Sequence, residues 1–337
     1  MSKKVLPAGI LKAVPADFIV QEIARGRNGN PFITELSLES IIEGYDSRFP
    51  VTVFCMSKVR WETKRALREV ARLLGVPQQN VCCQGLKDKH GYTSQLISVR
   101  GPFREGFWHK DIALEQLYGQ WDDLQRGKNW GNQFTINIRS DATATDLNLE
   151  AVEEFLNVFG SQRLGEPGSH EIGRLLLEGQ FDEAVRMLLD GRMSAKDLIE
   201  ARKASGGSWV DALLHSSYRH YFRFEVGKWQ SYLWNQLAQE ELAAGKVAGQ
   251  DQRLPMWQPD AAVVERYRHL WNPPDKLHPE AMQELDRQRR PVLARAENFQ
   301  AKHRNGVWRL SFALRPSVYA TVALSQLFQL EEKHEHR

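Results

Sequence analysis

A mixed α+β fold, built from both ends of the chain around a mostly helical interruption, is what this 337-residue sequence predicts. Two observations carry that reading. Stretches near both ends alternate apolar and polar residues with the period of a strand, whereas 167–245 keeps a helical period almost throughout. A third observation, a proline-rich irregular run over 250–280, marks a break within the interruption.

Taken in order, DFIVQEI (17–23) alternates as a half-buried strand, with Phe18 and Val20 opposite Ile19 and Ile23. VTVFCMSKV (51–59) reads as a second strand. WETKRALREVARLLG then switches period: Leu67, Val70, Ala71 and Leu74 share one helical face, and Gly75 with Pro77 supplies the stop. SQLISV (94–99) and FTINIR (134–139) return to alternation, the latter with Phe134, Ile136 and Ile138 on one side. After the helical middle, represented by EIGRLLLEGQFDEAVRMLLD and VGKWQSYLWNQLAQEELAAG, VWRLSFAL (307–314) alternates again. Pro316 is then read as opening a helix that carries Val318, Val322 and Leu327.

The composition is that of an ordinary soluble protein, with 42% hydrophobic and 26% charged residues and a formal net charge of +3. Mild basicity permits an acidic partner without demanding one. Three cysteines, Cys55, Cys82 and Cys83, cannot make a disulfide framework and lack the paired spacing of a structural zinc site. They read as small side chains in a reducing compartment, with adjacent Cys82 and Cys83 on opposite faces of a strand. The ten histidines show no metal-binding spacing, and HEHR at the end reads as a frayed tail. No window approaches the roughly 20 apolar residues of a membrane span. The apolar stretch near the N-terminus is too short and too proline-broken for a secretion signal. A soluble, cytoplasmic protein is expected.

Four places carry candidate chemistry. In VCCQGLKDKHGYTSQL (81–96), Asp88 stands among Lys87, Lys89 and His90 in a loop between two strands. Either this is a solvated turn, or it is a carboxylate held ionised by its neighbours and suited to attack an electron-poor carbon. In GNQF (131–134), Gly131 and Asn132 suit a tight turn. Phe134 there is a core residue or a stacking platform for a base. In NVFGSQRLG (157–165), Gln162 and Arg163 could hold a phosphate or cap a helix. From 209 to 234 aromatic and basic residues interleave, and the arginines of 287–309 add to them. That mixture suits looped RNA or an amphipathic helical core with a charged outer face.

These stretches together resemble the TruD family of tRNA pseudouridine synthases, nearly end to end and in order. ILKAVPADFIVQE is similar to the family's N-terminal signature, QGLKDKHGYTSQ to its G-x-K-D-K motif and GNQFTINIR to its G-N-x-F strand. NVFGSQRLG resembles its N-x-F-G-x-Q-R segment, and PSVYATVAL its S-x-A-T segment. Leu164 stands where the family usually has Phe, and Gly91 where many members carry Ala, a small change.

The resemblance implies a pseudouridine-synthase fold, an antiparallel sheet flanked by helices. Its catalytic domain would comprise 1–162 and 305–337, and a mostly helical TRUD insertion domain 163–304. It implies an isomerase that breaks the N1–C1′ bond of a uridine in tRNA, at position thirteen in the family, and rejoins the ribose through C5. Asp88 would be the nucleophile, on C1′ or C6. Lys12 would be its ion-pair partner, with Lys87 as second choice. Phe134 would stack on the target base, Asn132 would hold that loop, and Gln162 and Arg163 would serve the RNA cleft or its phosphates. No cofactor and no metal are expected. The partner would be tRNA or another structured RNA, with no membrane, no obligate protein partner, and a monomeric state. An RNA-binding or RNA-folding protein with little catalytic activity is the alternative.

Overall fold

The computed structural model describes residues 5–26, 29–35, 48–103, 106–190, 200, 202–203, 206–214 and 218–332. The HEHR tail lies outside them. The chain divides into two compact units, Met1–Phe155 with Arg295–Arg337, and Leu156–Ala294.

In chain order the strands begin with β1 (Ala8–Leu11), β2 (Phe18–Arg25), β3 (Pro31–Ile33) and β4 (Val51–Val59). After helix α1 (Thr63–Leu74) come β5 (Val81–Cys83), β6 (Tyr92–Arg100), β7 (Phe107–His109), β8 (Ile112–Gln120) and β9 (Gly131–Arg139). The middle adds short β10 (Phe155–Leu156), β11 (Arg253–Pro255), β12 (Arg289–Pro291) and β13 (Leu293–Ala294). β14 (Glu297–Arg304), β15 (Val307–Leu314) and β16 (Gln329–Glu332) finish the chain.

The first unit is organised by one large sheet whose main path runs β14-β15-β9-β2-β6-β4-β8-β7. Most pairs are antiparallel, but β2 runs parallel to β6 and β1 parallel to β16. β4 is buried on both faces for eight of its nine residues, as expected of a central strand rich in Val, Phe and Met. Helix α1 lays Ala66, Leu67, Val70 and Ala71 against Phe54, Met56, Ile97 and Val99 of β4 and β6. Full burial of a side chain such as Val70 or Leu67 contributes about 1.5–3 kcal/mol. Gly75 ends the helix in the left-handed region, φ 67°, where a side chain would be strained. Cys83 is buried and Cys82 half-buried on β5, on opposite faces.

Three boundaries differ from the sequence reading. β9 starts at Gly131, not at Phe134, so Gly131 and Asn132 lie in the strand and do not turn it. Gly131 serves close approach, since a Cβ there would meet the Leu314 carbonyl oxygen of β15 at 2.4 Å. The helix expected from Pro316 is only Ala320–Leu324, because Ser317 adopts φ 69° and breaks the helical path. The expected insertion end at 304 falls inside the large sheet. β14 pairs along β15, so the second unit closes at Ala294 and begins at Leu156.

That second unit is mostly helical, with helices at Glu171–Leu177, Phe181–Leu189, Trp209–Leu214 and Arg219–Ala243 around a core that includes Leu176, Leu233, Trp234, Trp257 and Tyr267. The stretch expected to be irregular holds β11 and a helix, Ala261–Tyr267. Asp260 caps that helix by accepting from the Ala262 and Val263 amides. Among the described residues, no helix is long and apolar enough to cross a membrane.

Candidate active site

The Asp88 loop leaves β5 and re-enters the sheet at β6, so both its ends are fixed by strand pairing. Asp88 Oδ2 accepts a hydrogen bond from Lys12 Nζ at 3.0 Å, and Oδ1 accepts one from the His90 amide at 2.9 Å. Its side chain is 18% exposed, enough to meet a ligand and little enough to lose most of its water. Burial pushes the Asp88 carboxyl up, but the Lys12 charge and the bonds from His90 and Lys12 outweigh it. The net result is a pKa below the ordinary value, and an anion at neutral pH.

Lys12 follows β1 with φ 59°, a left-handed backbone that is uncommon for a side-chain-bearing residue. Its ammonium is buried, 4.6 Å above the Phe18 ring, and it donates also to Glu332 Oε1 at 3.2 Å. Parallel pairing of β1 with β16 sets Glu332 beside Leu11 and so within reach of Lys12. One cation is thus shared by two carboxylates.

The two lysines that flank Asp88 do not hold it. Lys87 turns inward and pairs with Glu22 Oε1 at 2.8 Å, with side chains 4% and 0% exposed. Glu22 Oε2 accepts the Leu96 amide at 2.9 Å. Lys87 as alternative ion partner of Asp88 is therefore corrected: it neutralises a buried glutamate on β2. Lys89 is exposed.

The main chain of the loop is anchored by residues outside it. Lys58, on β4, donates to the Asp88 carbonyl at 2.8 Å and to the Trp61 carbonyl at 2.7 Å. It is 1% exposed, and burial pushes its ammonium down to about 8. Thr63 Oγ1 accepts the Lys87 amide at 2.9 Å and donates to the Lys87 carbonyl at 3.2 Å. Gly91 permits a close crossing, for a Cβ there would lie 2.3 Å from the Phe18 carbonyl oxygen. Replacement by Ala is then not the small change that the motif suggests.

Phe134 is 7% exposed, stacked on Phe312 with centroids 5.5 Å apart and meeting Phe18 edge-on at 6.2 Å. It shares the Phe18 face with Lys12 and is packed as core. Asn132 stands opposite Glu22 in the β2–β9 register, and its side-chain oxygen is buried without a donor. Gln162 and Arg163 belong to the second unit. Gln162 is exposed, while Arg163 donates to Ser231 Oγ at 3.2 Å and lies 5.1 Å from the Phe224 ring. Arg163 thus rests on the helix Arg219–Ala243, where Gly227 leaves it room.

A cavity of ≈ 530 Å³ lies on the other face of the sheet, lined by Val14, Ile19, Gln21, Tyr92, Thr135 and Arg309 among others. Neither Asp88 nor Lys12 lines it, although Val14 follows Lys12 by two residues and Tyr92 follows Asp88 by four. Among the described residues, no three His, Cys, Asp or Glu side chains gather as a metal site.

Sequence reading missed Glu22, Lys58, Thr63 and Glu332. Two of these left a signal: Glu22 has the strand parity of Phe18 and Val20, and Lys58 that of Phe54 and Met56, a charge on a buried face.

A large mixed sheet bearing a cation-held aspartate, interrupted by a helical unit, defines a pseudouridine-synthase fold. The structure superposes on that of a TruD protein from Methanosarcina mazei with a TM-score of 0.62, covering 97% of this chain and 95% of that one. At 19% identity this likeness speaks for the fold alone. The family model described as tRNA pseudouridine synthase D (TruD) matches residues 6–221, well over half of the chain. The chain belongs to the TruD family. The relative from Thermococcus onnurineus, named "Probable tRNA pseudouridine synthase D", is 33% identical over 216 residues, 60% of this chain and 47% of that protein. One of the same name from Pyrococcus furiosus is 29% identical over 264 residues, 67% and 60% of the two chains. The chain spans about half the length of the first of these relatives.

Proposed function

We propose that this chain is a tRNA pseudouridine synthase, an isomerase with Asp88 as nucleophile. The observation that carries the reading is the Asp88 carboxylate. It is anionic, part-exposed, held by Lys12 and the His90 amide, and it stands in the segment that resembles the family's K-D-K motif, within the residues 6–221 that the family model matches.

In the reaction, the N1–C1′ bond of uridine breaks and a C5–C1′ bond forms. The proton on C5 leaves and N1 takes one up, so the isomer has the atoms of the substrate. Asp88 attacks C1′ or C6, and the carboxylate is expelled again when the new bond is complete. Lys12 and the His90 amide favour the charged form of the attacking carboxylate before the reaction, against the effect of burial. A uridine must first leave its stack, at a cost of a few kcal/mol. Asn132 and Phe134, in the strand that resembles the family's G-N-x-F segment, are the candidates for holding and stacking on the base. Phe134 is covered by Phe18 and Phe312 in the free chain, so stacking requires that cover to move. Gln162, exposed, and Arg163 are the second unit's candidates for phosphate contact.

The test is pseudouridine formation on total tRNA lacking the modification, mapped by carbodiimide-dependent reverse-transcription stops. Asp88→Asn should lower the rate by at least about 10³-fold and leave tRNA affinity within a few-fold. Persistent activity in the variant refutes the nucleophile. Tight RNA binding by an inactive wild type favours a binding protein.

A further inference from the structure

Lys58 is a buried charge with no carboxylate paired to it among the described residues. Its parity on β4 places it with Phe54 and Met56, facing α1, where an apolar side chain would pack without desolvating an ammonium. Its donors go instead to two main-chain oxygens, those of Trp61 and Asp88. The Trp61 carbonyl is brought there by the turn that leaves β4, in which Arg60 takes φ 58°. Five residues after Lys58, Thr63 exchanges two hydrogen bonds with the main chain of Lys87. Strand end, turn and first helical residue thus form one rigid bracket, and it grips the two residues at the apex of the loop. The loop itself runs between Gly85 and Gly91. Its other anchors, Lys12 on the Asp88 carboxylate and Glu22 on the Lys87 ammonium, act on side chains, whereas Lys58 and Thr63 hold the main chain at Asp88 and Lys87.

We propose that Lys58 is a positioning residue: by fixing the Asp88 carbonyl to β4 it sets where the nucleophilic carboxylate projects. It thereby governs the rate of the chemical step and not the affinity for RNA. Thr63 supports the same function through Lys87. The proposal rests on the reading of Asp88 as the nucleophile. Misplacement of a reacting group by about 1 Å costs on the order of 10²-fold in rate, which is the effect expected when the anchor is lost.

The experiment compares wild type, Lys58→Met and Thr63→Val in single-turnover pseudouridine formation with enzyme in excess over tRNA. Hydrogen exchange of the peptide spanning 84–92 is followed in parallel. In single turnover the amplitude reports the fraction of competent enzyme, and the rate constant reports the chemistry of each site. Lys58→Met should lower the rate constant about 10²-fold, with amplitude and tRNA Kd within twofold of wild type. Exchange in 84–92 should quicken at least about tenfold while that of α1 is unchanged. A reduced amplitude with an unchanged rate constant would mean a merely structural lysine and overturn the proposal, as would a rate constant within threefold of wild type. If Lys58→Met fails to fold, Thr63→Val decides, with a loss of about tenfold expected and no loss overturning the idea. If the wild type makes no pseudouridine, the functional reading fails. The exchange data then judge the anchor by themselves, and unchanged exchange overturns it.

Discussion

The Glu22–Lys87 pair offers the sharpest test of how this site is held. Lys87→Met removes the cation and leaves a carboxylate that is 0% exposed. At 2.8 Å and an effective dielectric of about 20, the lost attraction is about 6 kcal/mol, offset by the desolvation that the ammonium no longer suffers. Breaking a buried pair by removing one partner typically costs about 3–5 kcal/mol, and that is the loss expected. Adding Glu22→Gln should recover at least about half, because the amide oxygen can still accept the Leu96 amide without a stranded charge. Native-state hydrogen exchange of β6 amides reads the stability of this unit directly. A loss below about 1 kcal/mol in Lys87→Met refutes the reasoning, as does a double variant no better than the single. The double variant should also keep most of its activity, since Asp88 retains Lys12.

Two further variants probe how the Asp88 loop is held. In Lys12→Met, burial of Asp88 loses its chief counterweight and only the His90 contribution remains, so the acid limb of the pH–rate profile should move to higher pH, with the plateau about 10–100-fold lower. Because the folded pKa of Asp88 is depressed, its contribution to stability is present above the unfolded pKa and lost as pH falls through the folded one. The stability gap between wild type and Lys12→Met should therefore be widest at neutral pH and close in the acid range; a gap independent of pH sinks the assignment. Gly91→Ala should destabilise the protein by about 1–3 kcal/mol, since a methyl 2.3 Å from the Phe18 carbonyl forces the loop outward. An unchanged melting temperature would contradict the crossing.

Much of the fold could be read locally. β4, β15 and α1 fall where period and capping place them, because each is decided by residues within a few positions of one another. Asp88 and Lys12 came from motifs, and their contact is a fact of register between β1 and a loop 76 residues away. The choice of partner for Lys87 could not be read in the same way. Adjacency in sequence favoured Asp88, whereas the loop, held at the Lys87 main chain by Thr63, sends the Lys87 side chain inward to Glu22. Buried charges on β2 and β4 were visible as exceptions to an apolar face, yet only the packing of the Asp88 loop shows what they meet, Lys87 for Glu22 and the Asp88 carbonyl for Lys58. β14 was assigned to the insertion on composition, since the basic run of 287–309 in which it lies hides a strand whose apolar residues are few.

The place of β9 in the sheet has a consequence for the order of assembly. β9 is flanked by β2, made early, and by β15, which follows the whole Leu156–Ala294 unit in the chain. Until residues 307–314 have been synthesised, one edge of β9 stays open, with the side chains of Phe134, Ile136 and Ile138 short of the partners that β15 brings. A nascent chain of this protein therefore carries an unsatisfied strand edge for the time needed to make more than a hundred residues, which is the condition under which strands find wrong partners. The contiguous helical unit is completed during that interval, and it can fold while the sheet is still waiting.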